Sequence, residues 1–269
     1  MNNLHRKLAP ISDAAWEQIE EEASRTLKRY LAARRVVDVA DPQGAALAAI
    51  GTGHLNDIQA PDDGIRAGQH QVQALVELRV PFELSRRTLD DVERGSDDPD
   101  LQPLKDAARK IAYAEDRAVF DGYAAAGIQG MRPGSDNPAT TLPSDITRYP
   151  AVVAQALSQL RLAGVNGPYI LVLGEKAFAA VSGASDDGYP LLKHIRPLLD
   201  GDIVWAPGIE GGVLLSTRGG DFSLHLGQDI SIGYQSHTDS VVNLYLQESF
   251  TFRLLSPEAA VALMPSAGK

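Results

Sequence analysis

The stretch that most constrains this chain is residues 219–255, GGDFSLHLGQDISIGYQSHTDSVVNLYLQESFTFRLL. Successive side chains on a strand point to opposite faces, so an apolar residue at every second position marks a sheet with one buried face. Phe222, Leu224 and Leu226 keep that beat, and Ile230, Ile232 and Tyr234 repeat it. Leu244, Leu246, Phe250, Phe252 and Leu254 then resume it. Gly227, Gln228 and Asp229, and later residues 235–239, supply the turns. The pattern predicts a meander built for packing, with nothing placed for covalent chemistry.

The rest of the chain reads as mixed α+β. Trp16, Ile19, Ala23, Leu27, Tyr30 and Leu31 follow helical spacing and predict a helix from Asp13 to about Arg34, capped by Ser12 or Asp13. Two strand-like runs between Thr52 and Leu84 flank the Gly- and Asp-rich QAPDDGIRAGQH, and Val76, Leu78, Val80, Phe82 and Leu84 alternate with polar residues and Pro81. An isolated two-stranded arm is marginal in water, so this one needs another surface, which in an oligomer can belong to a neighbour.

Asp97 or Asp98 before Pro99 predicts the start of a long spine helix whose apolar face, Leu104, Ala108, Ile111, Ala112, Val119 and Tyr123, runs until Gly127. Residues 132–150 read as a Pro-, Ser- and Asp-rich connector. Helices near 151–163 and 176–181 with strands near 169–173, 203–205 and 213–216 then predict a compact α/β unit inserted before the chain returns to the first core.

Composition bounds the function. The 269 residues, 44% apolar, can bury a substantial core as one large domain or two lobes. No apolar run reaches the length of about 18 residues needed to span a bilayer. Residues 1–10 are too short and polar for a secretory leader, so the expected location is cytoplasmic. The absence of cysteine excludes disulfides, thiol catalysis and thiolate metal sites. A net charge of −10 argues against a nucleic-acid partner and favours solubility of a repeated subunit. Arg25, Lys28, Arg29, Arg34 and Arg35 form the one notable basic cluster and read as the solvated face of a helix.

Catalytic readings fail one by one. The six histidines, at 5, 54, 70, 194, 225 and 237, form neither HExxH nor a close pair, so no metal site is expected. Gly183 to Gly188 has a residue too many for a nucleophile elbow and follows a helix. Gly51, Thr52 and Gly53 lack the third glycine of a dinucleotide loop. The acidic cluster at Asp97, Asp98 and Asp100 reads as a helix start, and Glu115 with Asp116 as structural. No catalytic residue and no cofactor are expected.

Five landmarks in order nevertheless resemble one family, the encapsulin shell proteins. They are Leu8, Ala9 and Pro10 before the Trp16 helix; Arg34, Arg35, Val36, Val37, Asp38 and Val39 at its exit; LDDVERG at 89–95; Gly167, Pro168 and Tyr169; and GGDF, LGQDISIGY and Pro257, Glu258, Ala259 at the end. The resemblance spans essentially the whole chain. It implies a tailed-phage major-capsid-type (Hong Kong 97 type) fold with a peripheral domain (1–51, 85–133 and 219–269), an extended loop (52–84) and an axial domain (134–218).

It also implies a self-assembling icosahedral shell subunit enclosing a cargo enzyme, a dye-decolourising peroxidase or a ferritin-like protein, docked by a terminal targeting peptide. The docking residues it implies are Arg34, Val36, Asp38, Val39, Ile230, Ile232, Phe250 and Phe252. The five-fold pore it implies is lined by Ser185, Asp186, Asp187, Gly188 and Tyr189. A phage capsid protein shares the fold and is the rival reading. Such proteins often carry an N-terminal scaffolding segment, whereas this chain reaches Trp16 within a few residues.

Overall fold

The computed structural model describes residues 3–186 and 188–266. The elements, in order, are α1 (Asp13–Tyr30), β1 (Asp38–Val39), β2 (Ala49–Ile58), β3 (Ala67–Ala74), β4 (Val76–Ser85), α2 (Arg86–Glu93) and α3 (Gln102–Phe120). There follow β5 (Thr140–Leu142), α4 (Tyr149–Leu162), β6 (Tyr169–Leu173), α5 (Glu175–Gly183), β7 (Ser185–Asp186), β8 (Tyr189–Pro190), α6 (Leu191–Ile195), β9 (Ile203–Trp205) and β10 (Gly212–Ser216). The chain ends with β11 (Phe222–Leu226), β12 (Ser231–His237), β13 (Val241–Leu254) and β14 (Ala260–Pro265).

The alternation in residues 219–255 does form strands, but they are not a meander. β13 is long enough to take two partners end to end on one edge: β12 pairs with its first half, Ile232 opposite Leu246, and β11 with its last, Leu224 opposite Phe252. β4 occupies the other edge antiparallel, Phe82 opposite Leu244, and β1 extends the sheet beyond β11 in parallel. Alternation specifies which face a residue takes, whereas the partner of that face is set by chain topology.

α1 and α3 cover this first sheet. Ser12 Oγ accepts the Ala15 N–H at 3.3 Å and caps α1, whose Ala15, Ile19 and Ala23 pack with Leu104, Ala108 and Ile111 of α3. Phe82, Leu84, Ile232, Leu244 and Leu246 meet them from the sheet. Burying a Leu or Ile completely, as at Leu104 and Ile111, contributes about 2 kcal/mol. α3 starts later than the 97–99 signal, at Gln102 with Pro103 in its first turn. It stops at Phe120, before Gly122, whose φ of 89° a helix cannot use. A side chain at Gly130 would overlap the Gly122 backbone, which is how the exit loop folds tightly back.

The inserted α/β unit has a second sheet in the order β5, β14, β10, β6, β9. β14 corrects the expected boundary: residues 219–269 do not all stay with the first sheet, because Val261 pairs with Leu214 of β10 and Leu263 with Thr140 of β5. β5 likewise lies inside the stretch expected to be a plain connector. One apolar cluster joins both sheets, from Leu171, Leu214 and Val261 to Leu224, Phe250 and Phe252.

The projecting arm is β2 with β3, and β4 is not part of it. The run expected to continue to Leu84 breaks at Leu75, after which β4 enters the first sheet. Gln73 Nε2 anchors the arm's base to the Phe252 carbonyl at 2.7 Å. Beyond that base the arm bulges between Gly51 and Leu55, and Leu55, Ile58, Ile65 and Val72 are each half exposed or more.

Candidate functional site

The C-terminal end of α1 turns out of the helix over the edge of β12, and a cavity of about 590 Å³ lies between them. Ala23 and Leu27 of α1 and Leu31 at its C-cap face Ile230, Ile232 and Leu246 across it. Ala23 and Leu27 lie one turn apart on one stripe of the helix, Leu31 continues that wall where the chain leaves it, and Ile230 and Ile232 take alternate positions, so both walls are apolar. The N-terminal arm closes one side: the Leu4 carbonyl accepts the Tyr234 N–H at 2.8 Å. Arg6 pairs with Glu20 at 2.5 Å and lies 4.1 Å from the Trp16 ring centroid.

The other end of the cavity is ionic. Arg34 donates to Glu115 of α3 and, through Nη1, to Asp229 Oδ1 at 2.7 Å, while Glu248 Oε2 of β13 lies 3.4 Å from Nη2. Glu115 and Glu248 are completely buried. One guanidinium therefore serves three carboxylates, two of them, Glu115 and Glu248, fully buried and the third, Asp229, at the solvent edge, and full ionisation of the buried pair is unfavourable. Burial pushes the Glu248 carboxyl well above the usual carboxylate range and the charge of Glu115 pushes it further, against the pull of Arg34. Glu248 Oε1 has no hydrogen-bond partner among the described residues. Burial alone lowers the Arg34 pKa, but Glu115 and Asp229 outweigh it and hold the guanidinium charged.

Behind this cluster, Asp116 accepts the Ala32 N–H at 3.1 Å and the Ala33 N–H at 2.8 Å. It thus fixes the turn that aims Arg34. Burial raises its pKa to about 7, although those two backbone N–H groups favour the charged form.

The structure brings together three of the eight docking residues that the resemblance implied, Arg34, Ile230 and Ile232. Val36 and Asp38 line a separate polar cleft of about 180 Å³ with Arg35 and Ser216, and Val39 is 40% exposed on β1. Phe250 and Phe252 do not line the cavity: they are buried in the cluster joining the two sheets, on the part of β13 paired with β11. Sequence reasoning missed Leu27 and Leu31, already counted as core, and the acids Glu115 and Glu248. Glu248 had a signal, since it falls on the inward beat between Leu246 and Phe250.

The implied pore segment is a two-residue hairpin, β7 with β8, turned by Gly188 at φ 81°. Ser185, Gly188 and Tyr189 are exposed. The Tyr189 ring lies 4.9 Å from that of His194, and Lys193 Nζ is 5.4 Å from it. Asp187 and the Asp186 side chain lie outside the described residues.

A sequence profile of the Linocin_M18 family, described as an encapsulating protein for peroxidase, matches residues 1–251. The type 1 encapsulin shell protein of Rhodococcus erythropolis is 58% identical over 263 residues, covering 98% of this chain and 100% of that protein. The virus-like particle of Pyrococcus furiosus superposes with a TM-score of 0.64 at 16% identity, over 92% of this chain and 98% of the other. A chain of Mycobacterium phage Bobi gives 0.56 at 15% identity, over 90% and 91%. The fold is thus of the tailed-phage major-capsid type, and by sequence the chain belongs to the encapsulin shell protein family.

Proposed function

We propose that this chain is a shell subunit that assembles into a closed icosahedral nanocompartment in the cytoplasm and holds a cargo enzyme on one wall of the shell. The cavity between α1 and β12 carries this reading. Its apolar sides suit a Leu- or Ile-bearing extended peptide, and its ionic end, Arg34 with Asp229, offers both a donor and an acceptor to the peptide backbone. Ile230 and Ile232 are the residues to which the docked side chain is assigned. The targeting peptide belongs to the cargo's terminus, and a peroxidase or a ferritin-like protein is the cargo the family suggests.

Assembly is supported by the β2–β3 arm, whose Leu55, Ile58 and Val72 stay half exposed or more and fit a neighbouring subunit. A closed shell in the simplest icosahedral case has on the order of 60 copies. The subunit itself does no chemistry in this reading. Phage capsid is the second reading, favoured by the fold likeness alone; purified particles that contain DNA and no protein cargo would decide for it.

Co-expression with a peroxidase bearing its terminal peptide tests the docking. Ile230→Asp puts a charge against the docked apolar side chain and is expected to cost at least about 2 kcal/mol of docking. Particles should still form and lose most of their cargo. Full cargo in Ile230→Asp particles would remove this wall from the docking site.

A further inference from the structure

A second cleft, of about 430 Å³, runs between α1 and α3 and shares no lining residue with the docking cavity. Each helix turns one stripe toward it at i, i+3, i+4 and i+7 spacing. Glu22, Arg25, Thr26 and Arg29 come from α1, and Gln102, Lys105, Asp106 and Arg109 from α3. The stripes carry four cations and two acids, a local excess of two positive charges on a chain whose net charge is −10. The acids are already shared out. Glu22 pairs with Arg25 and, at 3.8 Å, with Lys105, and Asp106 pairs with Arg109 at 3.0 Å.

Arg29 forms no ion pair among the described residues. Its guanidinium lies 5.8 Å from the ring centroids of both Tyr30 and Trp205, on an aromatic wall in which Tyr30 also meets Tyr113 at 5.6 Å. A guanidinium that lies beside aromatic rings and forms no ion pair keeps its hydrogen-bond fork free, and a fork of this kind matches phosphate oxygens two at a time. Of the five basic residues read from sequence as a solvated helix face, Arg25 and Arg29 form one side of a two-sided cleft, because α3 supplies Lys105 and Arg109 opposite them, whereas Lys28, Arg34 and Arg35 line the cavity beside β12.

We propose that this cleft binds a phosphate chain, either free inorganic oligophosphate or the phosphates of a nucleotide. Arg29 and Lys105 hold the ligand from opposite helices, and Arg25 and Arg109 turn from Glu22 and Asp106 toward it when it enters. A ligand with several adjacent phosphates is favoured over a single carboxylate because the cations line both sides of an elongated groove.

Isothermal titration of assembled protein with inorganic triphosphate at low salt tests this. Saturable binding is expected, weakening with added salt as the Debye length shrinks. Arg29→Gln with Lys105→Gln should lower the affinity about tenfold or more, and Arg29→Lys should restore part of it in place of Arg29→Gln. In a Trp16→Phe background the remaining Trp205 reports binding at Arg29 by its emission. ATP binding no more tightly than triphosphate identifies free phosphate as the source, and tighter ATP binding identifies the nucleotide. Arg29→Gln alone, at an exposed position, serves if the double variant fails to assemble. No heat of binding and unchanged Trp205 emission would overturn the proposal, as would wild-type affinity in a correctly assembled variant.

Discussion

Arg34 grips both oxygens of Glu115. Its Nε donates to Oε1 at 2.9 Å and to Oε2 at 3.0 Å, and Nη2 donates to Oε2 at 2.6 Å. The pair ties the exit of α1 to the middle of α3 at the ionic end of the cavity between α1 and β12. Removing one partner leaves the other as an uncompensated buried charge, so Arg34→Ala is expected to destabilise the subunit by about 3 to 5 kcal/mol. Arg34→Met combined with Glu115→Leu should cost much less. Denaturant midpoints of the two variants check this, and equal losses would contradict it.

Stability should also fall as pH rises. The folded-state pKa of Asp116 lies at about 7, above its usual value, and that of Glu248 is raised as well. The folded protein therefore keeps protons that the unfolded chain releases. The resulting contribution is fully present below about pH 4 and is lost as pH rises through about 7. The melting temperature should drop between about pH 4 and pH 7. Asp116→Asn, whose side-chain oxygen still accepts from Ala33, should flatten that slope. An unchanged slope would mean that these acids ionise without cost.

The arm should be needed for assembly and not for folding, because its apolar residues are exposed while the sheet of β4 and β13 is complete without it. Deleting residues 59–66, the loop between β2 and β3, together with the outer half of each strand should give a folded subunit with normal circular dichroism that sediments as small oligomers. Intact particles from that deletion would show that the arm is ornament.

Charge at the β7–β8 hairpin should govern ion entry if it lines a pore. Asp186→Asn with Asp187→Asn should slow ferrous-ion uptake at low salt and leave it unchanged at high salt, where the field is screened. Lys193, whose Nζ lies 5.4 Å from the Tyr189 ring, carries positive charge at the same hairpin, so Lys193→Gln should speed the same uptake. Uptake indifferent to all three changes would place the conducting path elsewhere.

Much of this fold was legible because its signals are periodic. The spacing of Trp16, Ile19 and Ala23 located α1, and the beat of Leu244 and Leu246 located the inward face of β13. Pairing was not legible. Nothing in residues 222–237 distinguishes two strands of a meander from two strands sharing one long neighbour, and β14 is a short apolar run whose partner lies some fifty residues upstream. The cavity between α1 and β12 was half legible, since Ile230 and Ile232 carry the period but Phe250 and Phe252 carry it equally well and fall in the core. The buried ion cluster needed three dimensions, because Arg34, Glu115, Asp229 and Glu248 come from four separate stretches.

Electron microscopy of this chain expressed alone tests the central claim most directly. The account predicts closed, uniform icosahedral shells that lack nucleic acid, with the β2–β3 arm of each subunit lying along its neighbour. Monomers or open aggregates from correctly folded protein, or shells packed with DNA, would contradict it.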